Sequence, residues 1–279
     1  MFSFAGWNLF GNIGSSFKEQ GINIILNVFL GTKINAARGI AVQVNGLINM
    51  LASNLAMAIN PQITKQYSAG NIVQSKTLVF ACSKYSFFLL SLIAIPLILN
   101  IHQILNLWLV EVPEYTSEFF VIAVIVSLIY SLTGSVSTAI QATGKVRNFQ
   151  IGVCIIMLLE IPLTYILLKI GYNPIVAISP TVVTNVLALV FRYILIHKYV
   201  ELYSWSEYIY KVIVPTICVF SITFIISYIL KFYINNNILG CILSIAQSSA
   251  TLILFIYIIG LSKSEKKIFI KYLKTKISK

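Results

Sequence analysis

From Val212 to Leu230, and again from Ile238 to Leu261, the chain runs without a charged side chain. An α-helix needs about 20 mostly apolar residues to cross a hydrocarbon core roughly 30 Å thick. Segments of this kind leave few folds open, and Phe87–Leu99, Phe119–Ile129 and Ile151–Leu159 repeat the pattern. Strands of a membrane barrel would be shorter and would alternate apolar with polar residues. The chain therefore reads as an all-α integral membrane protein. A mean hydropathy of +0.89 and 10% charged residues agree, since soluble domains carry roughly a quarter.

Apolar runs set against their polar breaks predict eight spans, near 7–30, 35–59, 77–100, 119–141, 149–170, 175–197, 212–233 and 239–261. With the amino terminus inside, the inner loops and tail hold Lys65, Lys76, Lys145, Arg147, Arg192, Lys198, Lys211 and the lysines after Ser262. Only Lys33, Lys169 and Lys231 fall outside, so the positive-inside rule puts both ends in the cytoplasm. The outer loop after the third span carries Glu111, Glu114 and Glu118. A net charge of +12 is on this reading a topology signal and not a nucleic-acid footprint. The basic tail spaces Phe269, Leu273 and Ile277 by four residues, which fits a short helix on an anionic inner leaflet or a solvated end. Met1 to Gly6 lacks the basic region of a cleavable signal.

Several chemistries are absent. There is no Asp, and His102 and His197 are the only histidines. Cys82, Cys154, Cys218 and Cys241 lie far apart inside apolar spans. No disulfide framework, metal site or paired-aspartate transferase centre is expected from this set, and no cofactor is expected beyond proton or sodium coupling.

Polar residues are gathered on a few spans. In the first, Asn8, Asn12, Ser16, Glu19, Asn23 and Asn27 recur every three or four residues and stack on one helix face, with Lys18 and Gln20 beside them. In the second, Arg38, Asn45, Asn49 and Ser53 share a face flanked by Gln43, Met50 and Asn54. The fourth carries Ser127, Ser131, Ser135, Thr138 and Gln141. A charge at a helix centre costs about 2.5–3.5 kcal/mol on insertion scales, so these faces must meet partner helices or an aqueous cavity. Density favours a cavity at the first span and interhelical bonding at the fourth. Lys84 is placed to snorkel or to line the cavity. Mid-span Glu160 reads as neutral, as paired with Lys18 or Lys84, or as a proton carrier. The first six spans are expected to bundle around something wet, with the last two packed outside.

Particular blocks resemble a known family. The segment GWNLFGNIGSSFKEQGINIILNVFLGTKINAARGIAVQVNGL is similar to the start of the second half of Wzx-type polysaccharide flippases. NPQITKQYSAGN at 60–71, LNLWLVEVPEYTSEF at 105–119, AIQATGKVRNFQI at 139–151 and PLTYILLKIGYNP at 162–174 follow in the family's order. The resemblance implies a six-helix lobe of the multidrug/oligosaccharidyl-lipid/polysaccharide exporter fold at 1–197, two further helices at 198–261, and a cytoplasmic tail at 262–279. Only the carboxyl-terminal lobe is present, so a truncated chain, or a separate amino-terminal lobe as partner, is implied. The implied activity is flipping undecaprenyl-pyrophosphate-linked oligosaccharide across the bacterial inner membrane, alongside a glycan polymerase, and not enzymatic catalysis.

For that cargo Lys18 and Arg38 are the candidate anion contacts. Asn23, Asn27, Gln43, Asn45 and Asn49 are the candidates for sugar hydroxyls, and Glu19 or Glu160 for ion coupling. A drug or metabolite antiporter of the same fold, a membrane glycan polymerase or acyltransferase, and an inactive fragment are the alternatives.

Overall fold

The protein is described by a computed structural model that covers residues 2–234, 237–263 and 265–267. Phe269, Leu273 and Ile277 lie outside the described residues, so the amphipathic tail is not seen. Within the described residues the chain is helical throughout, with no strand.

The first helix, α1 (Phe2–Ser68), is two helices joined at one residue. Gly31 has φ +81° and ψ 174°, a conformation open essentially to glycine alone. Arg38 hydrogen-bonds Asn23 and Glu19, 15 and 19 positions earlier in sequence. A continuous helix would separate those pairs by about 22 and 28 Å. The chain therefore doubles back at Gly31, and arms 2–30 and 32–68 lie side by side, corresponding to the first two expected spans.

The next spans are α2 (Ile72–Trp108) and α3 (Thr116–Ala142). The fifth is built from α4 (Val146–Leu158) and α5 (Glu160–Ile170), and the break has a local cause. Pro162 has no N–H for the carbonyl of Leu158. Pro180 interrupts the sixth span in the same way, between α6 (Pro174–Ile178) and α7 (Pro180–Tyr199). The side chain of Asn173 accepts from Val176 N at 2.9 Å and caps α6. The seventh span joins α8 (Trp205–Tyr208), a wide π turn and α9 (Val214–Lys231), and the eighth is α10 (Ile238–Phe255) continued by Ile256–Gly260. Six of these spans pass a length and hydropathy test singly, and α1 adds at most one more, as a bent pair, against the eight expected.

The centre of the bundle is α2 and α3, each with 56% of its most apolar window buried, against 17% for Ile238–Gly260. Around α3 lie α1, α2 and α7, and α4 closes the ring against α1 and α7. The last two spans pack on α2 and on each other. Small residues set the spacing where arm 2–30 meets the fifth span. A Cβ at Gly11, Gly14 or Gly21 would collide with Gln150, Cys154 or Ile161. The turn between α7 and α9 is clamped rather than loose. Tyr208 donates to Leu132 O at 2.7 Å, Tyr193 donates to Ser204 O at 3.0 Å, and Lys76 and Lys211 both pair with Glu207.

Candidate functional site

The hairpin at Gly31 brings the charged stretch of arm 2–30 against Arg38. Arg38 Nη2 donates to Glu19 Oε2 at 2.8 Å, and Nη1 donates to Asn23 Oδ1 at 2.6 Å. Adjacent residues on a helix point about 100° apart, so Lys18 turns away from Arg38 toward the fifth span. Its Nζ lies 3.3 Å from Glu19 Oε1 and 3.3 Å from Glu160 Oε2. Glu160 is 1% exposed, and its other oxygen accepts from the Thr181 hydroxyl of α7, while Thr184 lies 3.5 Å from Oε2. The result is one alternating chain, Asn23–Arg38–Glu19–Lys18–Glu160–Thr181, crossing four helical segments. Its two cations and two carboxylates balance.

Of the three states open to Glu160 in the sequence, the pairing with Lys18 is the one observed. Lys84 has a different partner. Its Nζ donates to both oxygens of Glu265 at 2.7 Å, and Tyr85 donates to the same carboxylate. Glu265 follows the last span, and with Ser262 it forms a reciprocal cap. Burial alone would raise its carboxyl pKa, but hydrogen bonds from Lys84, Ser262 and Tyr85 outweigh that and pull it from 4.5 down to about 2.

The remaining candidate site residues divide. Asn45 and Asn49 donate to Ser127 Oγ on α3 at 2.7 and 2.8 Å, so both tie arm 32–68 to α3. Asn8 accepts from Gln150 at 2.7 Å. Asn27 and Gln43 stand exposed, as do Asn12, Ser16 and Gln20. On arm 2–30 this polar stripe runs along one edge of the exposed face, and Ile13, Phe17, Ile24 and Val28 occupy the other. One side of the arm thus presents amides and the adjacent side presents hydrocarbon.

Two features went unrecognised in the sequence. Arg192, counted there among inner-loop cations, is buried in α7 at 5% exposure; its Nε and Nη1 have no hydrogen-bond partner, and its guanidinium faces the Phe149 ring at 5.9 Å. The second is a groove of about 530 Å³ between arm 32–68, α2 and α3, with Tyr130 and Met57 exposed at its mouth. Its lining includes Asn49, Asn60, Ser131, Thr138 and Gln141, and no charged side chain. The Ser/Thr stripe of α3 accordingly serves two purposes. Ser127 and Ser135 bond neighbouring helices, and Ser131, Thr138 and Gln141 line the groove. Among the described residues no three His, Cys or acidic side chains converge as a metal site would need.

A family model described as MatE matches residues 10–166. The match covers more than half of the chain, from arm 2–30 through most of α5. The chain belongs to the MatE family. No curated protein and no solved structure matches it significantly. Membership makes this a multi-pass membrane transporter chain, in accord with its six long apolar helices. Within the MatE match fall Lys18, Glu19, Arg38 and Glu160, while Thr181 and Arg192 lie beyond it on α7.

Proposed function

We propose that this MatE chain forms one lobe of a carrier that flips isoprenoid-pyrophosphate-linked oligosaccharide from the cytoplasmic to the outer leaflet of a bacterial inner membrane. One observation supports this cargo over an organic cation. Both carboxylates that the α1 hairpin brings together, Glu19 and Glu160, are already neutralised by Arg38 and Lys18. A cationic drug would find no free acid on the open side of the α1 arms. A glycan would find the exposed amides of Asn27 and Gln43.

On this reading the polar edge of arm 2–30 faces a second, amino-terminal lobe across a hydrated cavity. The anionic head of the cargo competes for Arg38 and Lys18, loosening their hold on Glu19 and Glu160, and this exchange couples cargo to helix position. A proton or sodium ion taken up by a released carboxylate would reset the site.

A drug antiporter is the second reading, and one feature favours it. A cavity of about 620 Å³ at the end of α2 combines Phe224, Tyr228 and Phe232 with Glu118, His102 and Lys231, whose ammonium is held by Leu99 O. That is a lining suited to an amphiphilic cation.

The test is complementation. Cells lacking their flippase receive the chain together with its upstream open reading frame. Restored surface glycan with unchanged drug resistance supports the flippase. Altered drug efflux without restored glycan supports the antiporter. Arg38→Ala should lower surface glycan at unchanged protein abundance, and normal glycan would remove Arg38 from head-group binding.

A further inference from the structure

We propose that the groove between arm 32–68, α2 and α3 is a second, separate subsite that takes a neutral, hydroxyl-rich glycosyl unit. The groove extends along α3 from Ser127, in the middle of the helix, to Gln141 near its end. That is about 21 Å at 1.5 Å per residue. Its volume of about 530 Å³ falls inside the roughly 300–1,000 Å³ of small-molecule sites.

The lining decides the ligand class. Lipid chains are excluded by cost, because the amides of Asn60, whose Oδ1 has no partner, and Gln141 would face hydrocarbon unsatisfied. A charged ligand has no counter-ion, since no Lys, Arg, Asp or Glu lines the groove. What remains is water or a neutral polar molecule. The hydroxyls narrow this further. Ser131 donates to Leu128 O at 2.7 Å, Ser137 to Thr133 O at 3.0 Å and Ser53 to Met50 O at 2.8 Å. Each thus spends its proton on its own helix and keeps its lone pairs free. A ligand that donates at many points fits such a wall, and the hydroxyls of a sugar ring do so. At the mouth Tyr130 supplies an exposed aromatic face, 56% accessible, on which an apolar sugar face stacks.

The ligand class agrees with the glycan cargo proposed above and in part rests on it; the geometry does not. Asn49 lines the groove, but its amide, like that of Asn45 beside it, is occupied by Ser127. The subsite is separate from the Lys18–Glu160 chain, which shares no residue with the groove.

Single cysteines at Ser131 and Thr138 test the proposal in the full chain in lipid nanodiscs, with the four native cysteines replaced by alanine. Both hydroxyls bond only their own helix, so the exchange breaks no interhelical bond. N-ethylmaleimide reacts with the thiolate, which forms only where water reaches. Labelling at both sites should therefore run about tenfold or more faster than at a cysteine replacing Ile125, an exposed apolar residue of the same helix outside the groove lining. Maltotetraose should slow it severalfold, and sodium or tetramethylammonium chloride should not.

Absence of labelling at both sites would show a closed, dry groove and overturn the proposal. Protection by either salt, or no protection by maltotetraose, would overturn it as well. Ser131→Ala with Thr138→Val should weaken surface-glycan complementation while leaving the unfolding midpoint unchanged, and full complementation by that variant would equally refute the subsite. If the unsubstituted chain fails complementation while maltotetraose still protects, the flippase reading falls and the neutral-sugar site stands.

Discussion

The contact between Lys18 and Glu160 is the strongest energetic claim in the transporter lobe, and it yields a double-mutant cycle. Two unit charges 3.3 Å apart attract by about 5 kcal/mol at an effective dielectric of 20, before desolvation is subtracted. Lys18→Met removes the only cation in contact with Glu160 among the described residues and leaves a carboxylate that is 1% exposed beside the hydroxyls of Thr181 and Thr184. Orphaning a buried charge in this way costs about 3–5 kcal/mol. Glu160→Gln costs less. The amide keeps an acceptor for Thr181, and Lys18 retains Glu19 at 3.3 Å.

In the double variant no orphaned charge remains, so its stability should fall close to that of Glu160→Gln, which makes the coupling close to the Lys18→Met cost of about 3–5 kcal/mol. That is well above the mean of about 0.6 kcal/mol for interhelical hydrogen bonds in a membrane protein. Equilibrium unfolding in mixed detergent–lipid micelles, followed by circular dichroism, gives all four corners. Additive losses, with coupling below about 0.5 kcal/mol, would show that the pair does not hold arm 2–30 to the fifth span.

Three further outcomes are expected. Arg192→Met removes a buried guanidinium whose Nε and Nη1 have no partner, so the unfolding free energy should rise by about 1 kcal/mol or more; a lower value would mean that a partner holds it in the membrane. Gly31→Val forces a branched side chain to φ +81° and should destabilise the hairpin by about 1–3 kcal/mol, whereas an unchanged midpoint would refute the hairpin turn. Because the Glu265 pKa is lowered, its bond to Lys84 stabilises fully above about 4.5 and is lost as pH falls toward about 2. Amide exchange over 262–267, corrected for the intrinsic rate, should accelerate across that window and stay flat in Glu265→Gln.

How much of this could be read in the chain depends on whether a contact is local or long-range. Six spans were legible because hydropathy acts over single segments, and prolines broke two of them, at Pro162 and Pro180. The pairing of Arg38 with Asn23 was also within reach of counting. Antiparallel helices juxtapose residues at similar distances from their turn, and these two lie seven and eight positions from Gly31. Glu160 could only be bracketed, because its partner is set by how the fifth span docks, and the small residues that allow that docking, Gly14 and Gly21, carry no direction. The amide stripes were ambiguous for a deeper reason. Helical spacing shows that Asn45, Asn49 and Arg38 share one side, but not what stands opposite. In the fold Ser127 stands opposite the first two and Glu19 opposite the third. Polar density on a spanning helix therefore measured the number of demanding contacts, and only packing could divide them between neighbouring helices and open water. The same division explains the groove: hydroxyls that bond back to their own helix look like inert surface in the sequence, yet once α2 and arm 32–68 stand around α3 they become a wall of acceptors with nothing yet to accept from.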